Sequence, residues 1–597
     1  MKRIILAVLL AAMLSTPALA AKMAAGKVLL VEVDGAGYGA PTPSLHLDFN
    51  LRMRAAIQTV LAKRGIRHEE YYWKTGNVDT LKAKLTSGNY KFAIIYGGNG
   101  TGPSLSSGGT NIRRFWGCDS TYSTTDALVW YAADPRHSTS THAYVNGAMG
   151  DADATDRWVS TTDTFFVVRG HTSIIDSFIV SKQNANISNA GAKRDTTITT
   201  MTVTPIIEKV NSTARFMTFW RVRYGTHKKY YLGLRDANGI FLVDALLCKY
   251  FPDARPIEYC LTLDDFGMIR QDATSSSGGS HYPYPNSATK YPSDFFTTDL
   301  GGFFDLIRSY NSKLTIGTSM MNLRAYHADS SQWQGWKSCY DTFIGPYYGN
   351  NFALVWHDHG FNSPADSIQL TFEHIGSYND WQAKRSRRTV YAADIDSLYG
   401  VWQDTIASYG MRSSPGIIPP ADKQAGHYGT TSFANTLLDF CAIRNQPLRA
   451  MYNRDVSITR YPSINKYRGA SAIHEWYCGG ADSTNATLAE LVTYNMHNLG
   501  ALLYLNLYDA YDVTNSGYTR FFRQSNRSFP LGYYSGRTAP VIVFHAGRLL
   551  KKGPGTTADY QAARSMLKHL AFFDAIAGRQ IYRPVFMHEF DWKNLVQ

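Results

Sequence analysis

The sequence predicts an α/β protein in two parts, an open parallel sheet with a β-rich insertion followed by an irregular (β/α) barrel. Three observations carry this prediction. Short apolar runs alternate with segments of helical periodicity in both halves of the 597-residue chain, which is typical of parallel sheets. Within the first half, residues 165–233 alternate in a β manner. The length also allows two to four domains.

The first 20 residues have the composition of a secretory signal. Lys2 and Arg3 precede an apolar stretch, and Ala18-Leu19-Ala20 forms a small-residue cleavage site. No later segment has the roughly 20 uninterrupted apolar residues of a membrane span. We therefore expect a secreted or periplasmic protein with no integral membrane segment after signal removal.

The composition fits a folded protein, with 44% hydrophobic and 18% charged residues. The formal net charge of +13 favours an anionic partner such as an acidic polysaccharide. No dense basic run or nucleic-acid-binding motif accompanies the charge, so nucleic acid is not expected as a partner. Six cysteines permit disulfides in an exported chain, but their scattered positions define no pairing and no CxxC metal site.

The first part, residues 21–256, begins with strands predicted at Val28–Val33, Glu69–Trp73 and Phe92–Tyr96, with helical periodicity between them. This order, with its β-rich continuation, resembles the flavodoxin-like accessory domains of the glutamine-amidotransferase type. No Cys follows the third strand at a nucleophile position, so we do not expect catalysis there. Near the end of this part, Gly239–Val243 is also predicted as a strand.

The second part, residues 257–597, continues the alternation of apolar runs and helical segments. Its predicted strands are Ile257–Leu263, Leu314–Thr318, Phe352–Trp356, Leu448–Tyr452, Ala501–Tyr508, Val541–Phe544 and Ile581–Met587. This number of strands interleaved with helices predicts the irregular (β/α) barrel.

Carboxylates and imidazoles follow several of these strands. Asp264-Asp265, His357-Asp358-His359 and His545 each stand at a strand's carboxyl end, where barrel enzymes collect their active-site residues. Such side chains suit a divalent cation with one position left for water. A cation of this kind lowers the pKa of bound water, and a neighbouring carboxylate can accept a proton.

Four segments in the same order resemble the motifs of the polysaccharide deacetylase family. These are metal-dependent enzymes that remove N- or O-acetyl groups from chitin, peptidoglycan or exopolysaccharides. The segments are Leu261–Gly267, similar to the family's Thr-Phe-Asp-Asp-Gly motif, Ala353–His357, Arg412–Gly416 after a helix, and Val541–His545. The resemblance spans about 257–590 and implies a divalent metal ion, with zinc expected.

The resemblance also implies a role for each motif residue. Asp264 would be the general base, while Asp265 and His357 would bind the metal. Arg412 would orient Asp264, and His545 would assist the leaving group. The family's second histidine stands four residues after the first, where this chain has Phe361, so His359 is the expected substitute.

The sequence therefore predicts an exported metal-dependent hydrolase that removes acetyl groups from a polysaccharide. Two alternatives stay open. A glycoside hydrolase on a barrel would use two carboxylates such as Asp264 and Glu475. A degenerate member would be a non-catalytic carbohydrate-binding surface protein.

Overall fold

A computed structural model of the chain shows a mixed α/β protein with one large sheet, one smaller parallel sheet and helices. The structure describes residues 24–33, 53–73 with gaps at 55–56, 59 and 63, 78–97, 124–131, 158–160, 165–179, 189–193, 202–210, 215–234, 237–266, 294–318, 330–357, 400–416, 443–445, 498–500, 503–504, 541–545, 549 and 558–589. The predicted signal segment and the predicted strand Leu448–Tyr452 lie outside these residues.

The chain divides into two compact units. The first comprises residues 1–257, 572–581 and Gln597, and the second comprises residues 258–571 and 582–596. The first unit thus includes a segment from near the chain's C-terminus that the predicted range 21–256 leaves out.

Eleven strands of described residues make up the sheet of the first unit. They are β1 (Lys27–Val33), β2 (Arg67–Trp73), β3 (Phe92–Gly97), β4 (Ala127–Tyr131), β5 (Trp158–Ser160), β6 (Phe165–Val168), β7 (Ser177–Ile179), β8 (Asn189–Lys193), β9 (Thr202–Val210), β10 (Arg215–Tyr224) and β11 (His227–Leu232). The main path runs β2-β1-β3-β4-β11-β10-β9-β6-β7, with β8 paired to β10 and β5 to β8.

The direction of the strands changes across this sheet. Neighbours from β2 to β11 are parallel, and those from β11 to β7 are antiparallel. Val28, Leu29, Leu30 and Val31 of β1 are all buried, as expected for a parallel strand covered on both faces. Within the segment 165–233 that is predicted as β-rich, the described residues include the strands β6 to β11, whereas the flavodoxin-like assignment and the domain bounds stay predictions.

Two helices of the first unit have described bounds, α1 (Val78–Thr86) and α2 (Ala237–Tyr250). The strand predicted at Gly239–Val243 is wrong, because these residues lie within α2. Ile240, Leu242, Val243, Leu246 and Leu247 are all buried. A short apolar run of this kind has no periodicity that separates a buried strand from a buried helix.

The described residues of the second unit form a sheet of six strands. They are β12 (Ile257–Phe266), β13 (Leu314–Thr318), β14 (Phe352–Trp356), β17 (Leu503–Tyr504), β18 (Val541–His545) and β19 (Tyr582–Pro584), while β15 (Ile443–Asn445) and β16 (Asn498–Gly500) pair separately. The order is β14-β13-β12-β18-β17, and β19 pairs with β12. All four pairings along that order are parallel. Closure into a barrel stays a prediction.

The helices of the second part include α3 (Gly301–Ser309), α4 (Ser330–Cys339) and α5 (Ala558–Ala577). Within the described part of the chain, no helix combines the length and apolarity needed to cross a membrane. Cys248, Cys260 and Cys339 are buried and free, so these three form no disulfides.

Candidate active site

The carboxyl ends of four neighbouring strands in the second unit meet at one edge of the sheet. Leu263 of β12 pairs with Phe544 of β18 on one side and with Ile316 of β13 on the other. Ile316 in turn pairs with Leu354 of β14. All four side chains are buried. This apolar row forms the floor directly before the polar residues that end the strands.

Beyond this floor, the register brings two predicted site residues side by side. Asp264 of β12 pairs directly with His545 of β18, and neighbouring strands lie about 4.8 Å apart. These residues are 281 positions apart along the chain, and only the strand pairing makes them neighbours. The structure describes the backbone of both.

Asp264 and Asp265 lie at an irregularity of β12. Leu263 pairs with Ile316 and Phe266 with Thr318, so three steps along β12 match two steps along β13. One strand therefore carries an extra residue, which defines a β-bulge. Bulges occur often beside active sites, where they redirect a side chain.

Aromatic contacts confirm that the bulge breaks the alternation of side chains. The Phe266 ring lies 5.9 Å from the ring of Phe304 in α3. Phe544, which is level with Leu263, lies 5.2 Å from Phe303 of the same helix. Leu263 and Phe266 thus share the face covered by α3, although a regular strand would place residues three apart on opposite faces. Two consecutive aspartates occupy the place of one residue.

His357 follows β14 at the same edge of the sheet. Its side chain is 2% exposed, and its backbone N–H donates to the Thr318 carbonyl at 2.9 Å. Because β13 alone separates β14 from β12, about two strand spacings, or roughly 10 Å, separate the two backbones. That separation lets side chains from both strands reach toward a common point.

The donor set of this edge fits a divalent cation of the zinc type. Zinc takes carboxylate oxygen and imidazole nitrogen, and the edge carries both in Asp265 and His357. Among residues whose side chains are described, no group of three or more His, Cys, Asp or Glu could hold a metal ion. The side chains of Asp264, Asp265 and His545, and the whole of His359, lie outside that set.

Arg412 lies in a segment that runs alongside β14. The Ser414 N–H donates to Leu354 O at 2.7 Å, and the Trp356 N–H donates to Gly416 O at 3.2 Å. Arg412 precedes this contact and therefore lies toward the amino end of β14, away from His357. Its guanidinium is 5.5 Å from the ring centre of Tyr348. The structure does not bring its backbone to the Asp264 edge, and its predicted orienting role stays a prediction.

An aromatic series that the sequence reasoning missed leads away from the bulge. The ring of Phe266 lies 5.1 Å from Trp336 of α4, which stacks on Trp333 at 5.5 Å. Trp333 is partly exposed. The spacing of three residues between Trp333 and Trp336 places both on one helix face, and that spacing was the available signal.

No family model matches the sequence, and no curated protein matches it. Three solved structures show low similarity. Agd3, a carbohydrate deacetylase, matches with a TM-score of 0.45 and 9% identity, over 94% of this chain and 86% of its own. A 4-alpha-glucanotransferase from Thermococcus litoralis matches with a TM-score of 0.29 and 11% identity, over 56% and 40%. CpGH84D matches with a TM-score of 0.20 and 10% identity, over 96% and 68%.

Proposed function

We propose that the chain is an exported, metal-dependent hydrolase that removes acetyl groups from a polysaccharide. One observation carries this proposal, the arrangement of the strand ends in the second unit. Asp264 pairs with His545, the double aspartate sits on a bulge, and the buried His357 ends a strand at the same edge.

Asp265 and His357 would hold the metal ion in this proposal, with His359 as the second imidazole and zinc as the expected ion. When bound, such an ion lowers the pKa of a water molecule and polarises the acetyl carbonyl. Asp265 on β12 and His357 after β14 would offer their side chains from a sheet, which favours a fixed geometry.

The other two residues would move protons. The Asp264 carboxylate accepts the proton of the attacking water as general base. His545, its direct neighbour across the strand pair, donates a proton from its imidazole to the departing amine or alkoxide. Trp333, reached through Phe266 and Trp336, offers a partly exposed aromatic surface against which a sugar ring can lie.

For the first unit, we infer a flavodoxin-like domain. The order β2-β1-β3-β4-β11, with all four pairings parallel, supports the inference because flavodoxin-like sheets have the order 2-1-3-4-5. The antiparallel strands then extend that sheet at its β11 side.

The test is acetate release from acetylated glycans by purified full-length protein, with and without chelator, alongside measured metal content. We expect release that chelator abolishes and added metal restores. Asp264→Asn should lower the rate by about 100-fold or more, since general-base catalysis contributes roughly 10²–10⁴-fold. Asp305→Asn is the matched control, because Asp305 lies on α3 in an exposed pair with Arg308.

The rival activities give different products. A glycoside hydrolase releases new reducing ends and is insensitive to chelator, whereas a non-catalytic relative binds sugar without releasing acetate. The proposal is wrong if metal-loaded protein releases no acetate from any acetylated glycan, or if Asp264→Asn retains the full rate.

A further inference from the structure

Four cations of the first unit lie around one hairpin, and we name them the hairpin cation patch: Arg221, Arg223, Lys228 and Lys249. Strands β10 and β11 are joined by a two-residue turn, with Tyr224 paired to His227. Arg223 pairs directly with Lys228, and Arg221 pairs with Tyr230. Directly paired residues and residues two apart share a sheet face, so three cations lie on one face.

Helix α2 adds the fourth cation to the same face. The ring of Tyr250, its last residue, lies 6.4 Å from the ring of Tyr230, which pairs with Arg221. Lys249 precedes Tyr250 and is exposed. Its pKa is lowered by partial burial and by the charges of Arg221 and Lys228, which agrees with four positive groups gathered in one place.

Among the described residues, no carboxylate forms an ion pair with a cation of this patch. None of the ion pairs found there includes a patch residue. Asp126 is the nearby acid, and it accepts the Lys228 backbone N–H at 2.8 Å and the Tyr250 hydroxyl at 2.7 Å. The single negative charge of Asp126 therefore lies near four positive charges.

The bonding of the arginines leaves donor capacity for a ligand. Arg221 donates from Nη2 to the Thr204 hydroxyl at 3.4 Å, and a guanidinium carries five N–H donors. Arg223 donates from Nε to the Gly225 carbonyl at 2.9 Å. Like charges directly opposite each other destabilise a sheet, so the Arg223–Lys228 pair is a cost to the isolated fold that an anionic ligand would relieve.

We propose that the hairpin cation patch binds an acidic polysaccharide, a chain of sugars that carry carboxylate or sulfate groups. Charge complementarity supports the anion, because four cations stand on adjacent strands and a helix end without a matching set of carboxylates. The net charge of +13 favours a polyanion of any class, and the predicted secretory signal favours a glycan outside the cell over nucleic acid. The binding site lies within the first unit and does not depend on hydrolysis in the second.

The experiment measures binding of full-length protein to polygalacturonate, dextran sulfate, neutral dextran and single-stranded DNA by affinity electrophoresis at low and high salt. We expect binding to the two acidic polymers that weakens with salt, and none to neutral dextran. The variant Arg223→Gln/Lys228→Gln should weaken binding about tenfold or more. The control Arg67→Gln/Arg215→Gln removes two exposed cations outside the patch, one on β2 and one at the end of β10 away from the hairpin turn, and should change binding less than twofold.

Equal weakening by both double variants would overturn the proposal, because it would indicate attraction by net charge alone. So would the absence of binding at low salt, or tighter binding of single-stranded DNA than of polygalacturonate. The Tm provides a second readout, since removing opposed like charges should leave it unchanged or raise it. A clear fall in Tm would instead assign these cations to fold stability. None of these outcomes depends on acetate release.

Discussion

At the scale of single residues, His569 of α5 shows how burial sets a protonation state. It is 1% exposed, and its Nδ1 lies 2.7 Å from the Ser565 carbonyl oxygen. A carbonyl only accepts hydrogen bonds, so Nδ1 carries the hydrogen. Burial lowers the pKa of His569 from 6.5 to about 3. The imidazole is therefore neutral in the folded protein but protonates in the unfolded chain as pH falls below 6.5.

This residue predicts a pH-dependent stability. The folded-state pKa is depressed, so the unfolded state binds more protons, and stability decreases as pH falls from about 6.5 toward about 3. The free energy of unfolding should fall by up to about 1 kcal/mol per pH unit from this group. Urea titrations of wild type and His569→Leu between pH 7 and 4 measure it, and the variant should show the shallower slope. Arg564→Gln on the same helix should keep the wild-type slope, and equal slopes for wild type and His569→Leu would contradict the prediction.

At the scale of elements, α3 supports the floor of the candidate site. Phe303 contacts Phe544, and Phe304 contacts Phe266 and Phe352. The helix thus touches β18, β12 and β14 from one face. Its first residue, Gly301, packs so closely that an added Cβ would lie 2.6 Å from the Phe343 ring, whereas a Cβ on Gly302 would meet no atom within 4 Å.

These neighbouring glycines predict opposite effects of the same substitution. Gly302→Ala should raise the free energy of unfolding by up to about 1 kcal/mol, because alanine favours the helix and no atom is displaced. Gly301→Ala should lower it by about 1–3 kcal/mol, because the Phe343 ring must move. Thermal denaturation of the two variants measures the difference. If both substitutions raise the free energy of unfolding equally, the Phe343 ring does not limit the side chain at position 301.

At the scale of the whole molecule, the first unit is discontinuous in sequence. Phe572 lies 6.0 Å from Phe178, and Arg579 donates to the Ala254 carbonyl at 2.7 Å. The Ile581 carbonyl accepts a hydrogen bond from Arg64 at 2.8 Å, and Arg64 is buried in an ion pair with Asp244. Residues 572–581 therefore complete a core begun some 300 positions earlier in the chain.

Truncation after residue 571 should consequently weaken the first unit. Loss of the aromatic contacts and of a partner for the buried Arg64 should increase hydrogen exchange in residues 165–179 and in α2, because local opening becomes less costly. Hydrogen–deuterium exchange with mass spectrometry measures this. A chain that ends at Phe590 keeps all the described C-terminal residues and should match the full-length protein. Unchanged exchange after truncation at 571 would show that this segment does not stabilise the unit.

The sequence predicted several elements closely because apolar runs are local signals. The strands predicted at Leu314–Thr318 and Phe352–Trp356 are confirmed with the same bounds, and that at Val541–Phe544 extends one residue to His545. The Gly239–Val243 prediction was wrong because the buried run within α2 shows no amphipathic period. The predicted roles of the site residues and the predicted metal stay predictions.

The sequence by itself determined which polar residues lie near the carboxyl ends of the strands, since Asp264, His357 and His545 each follow an apolar run that is readable locally, although β12 continues past Asp264 to Phe266. Only the tertiary structure decided that β12 lies between β13 and β18 and that Asp264 stands beside His545. It also decided the bulge under the double aspartate and the placement of Arg412 toward the other end of β14. The physical reason is that strand order and register follow from long-range pairing and packing, which no local run of residues encodes.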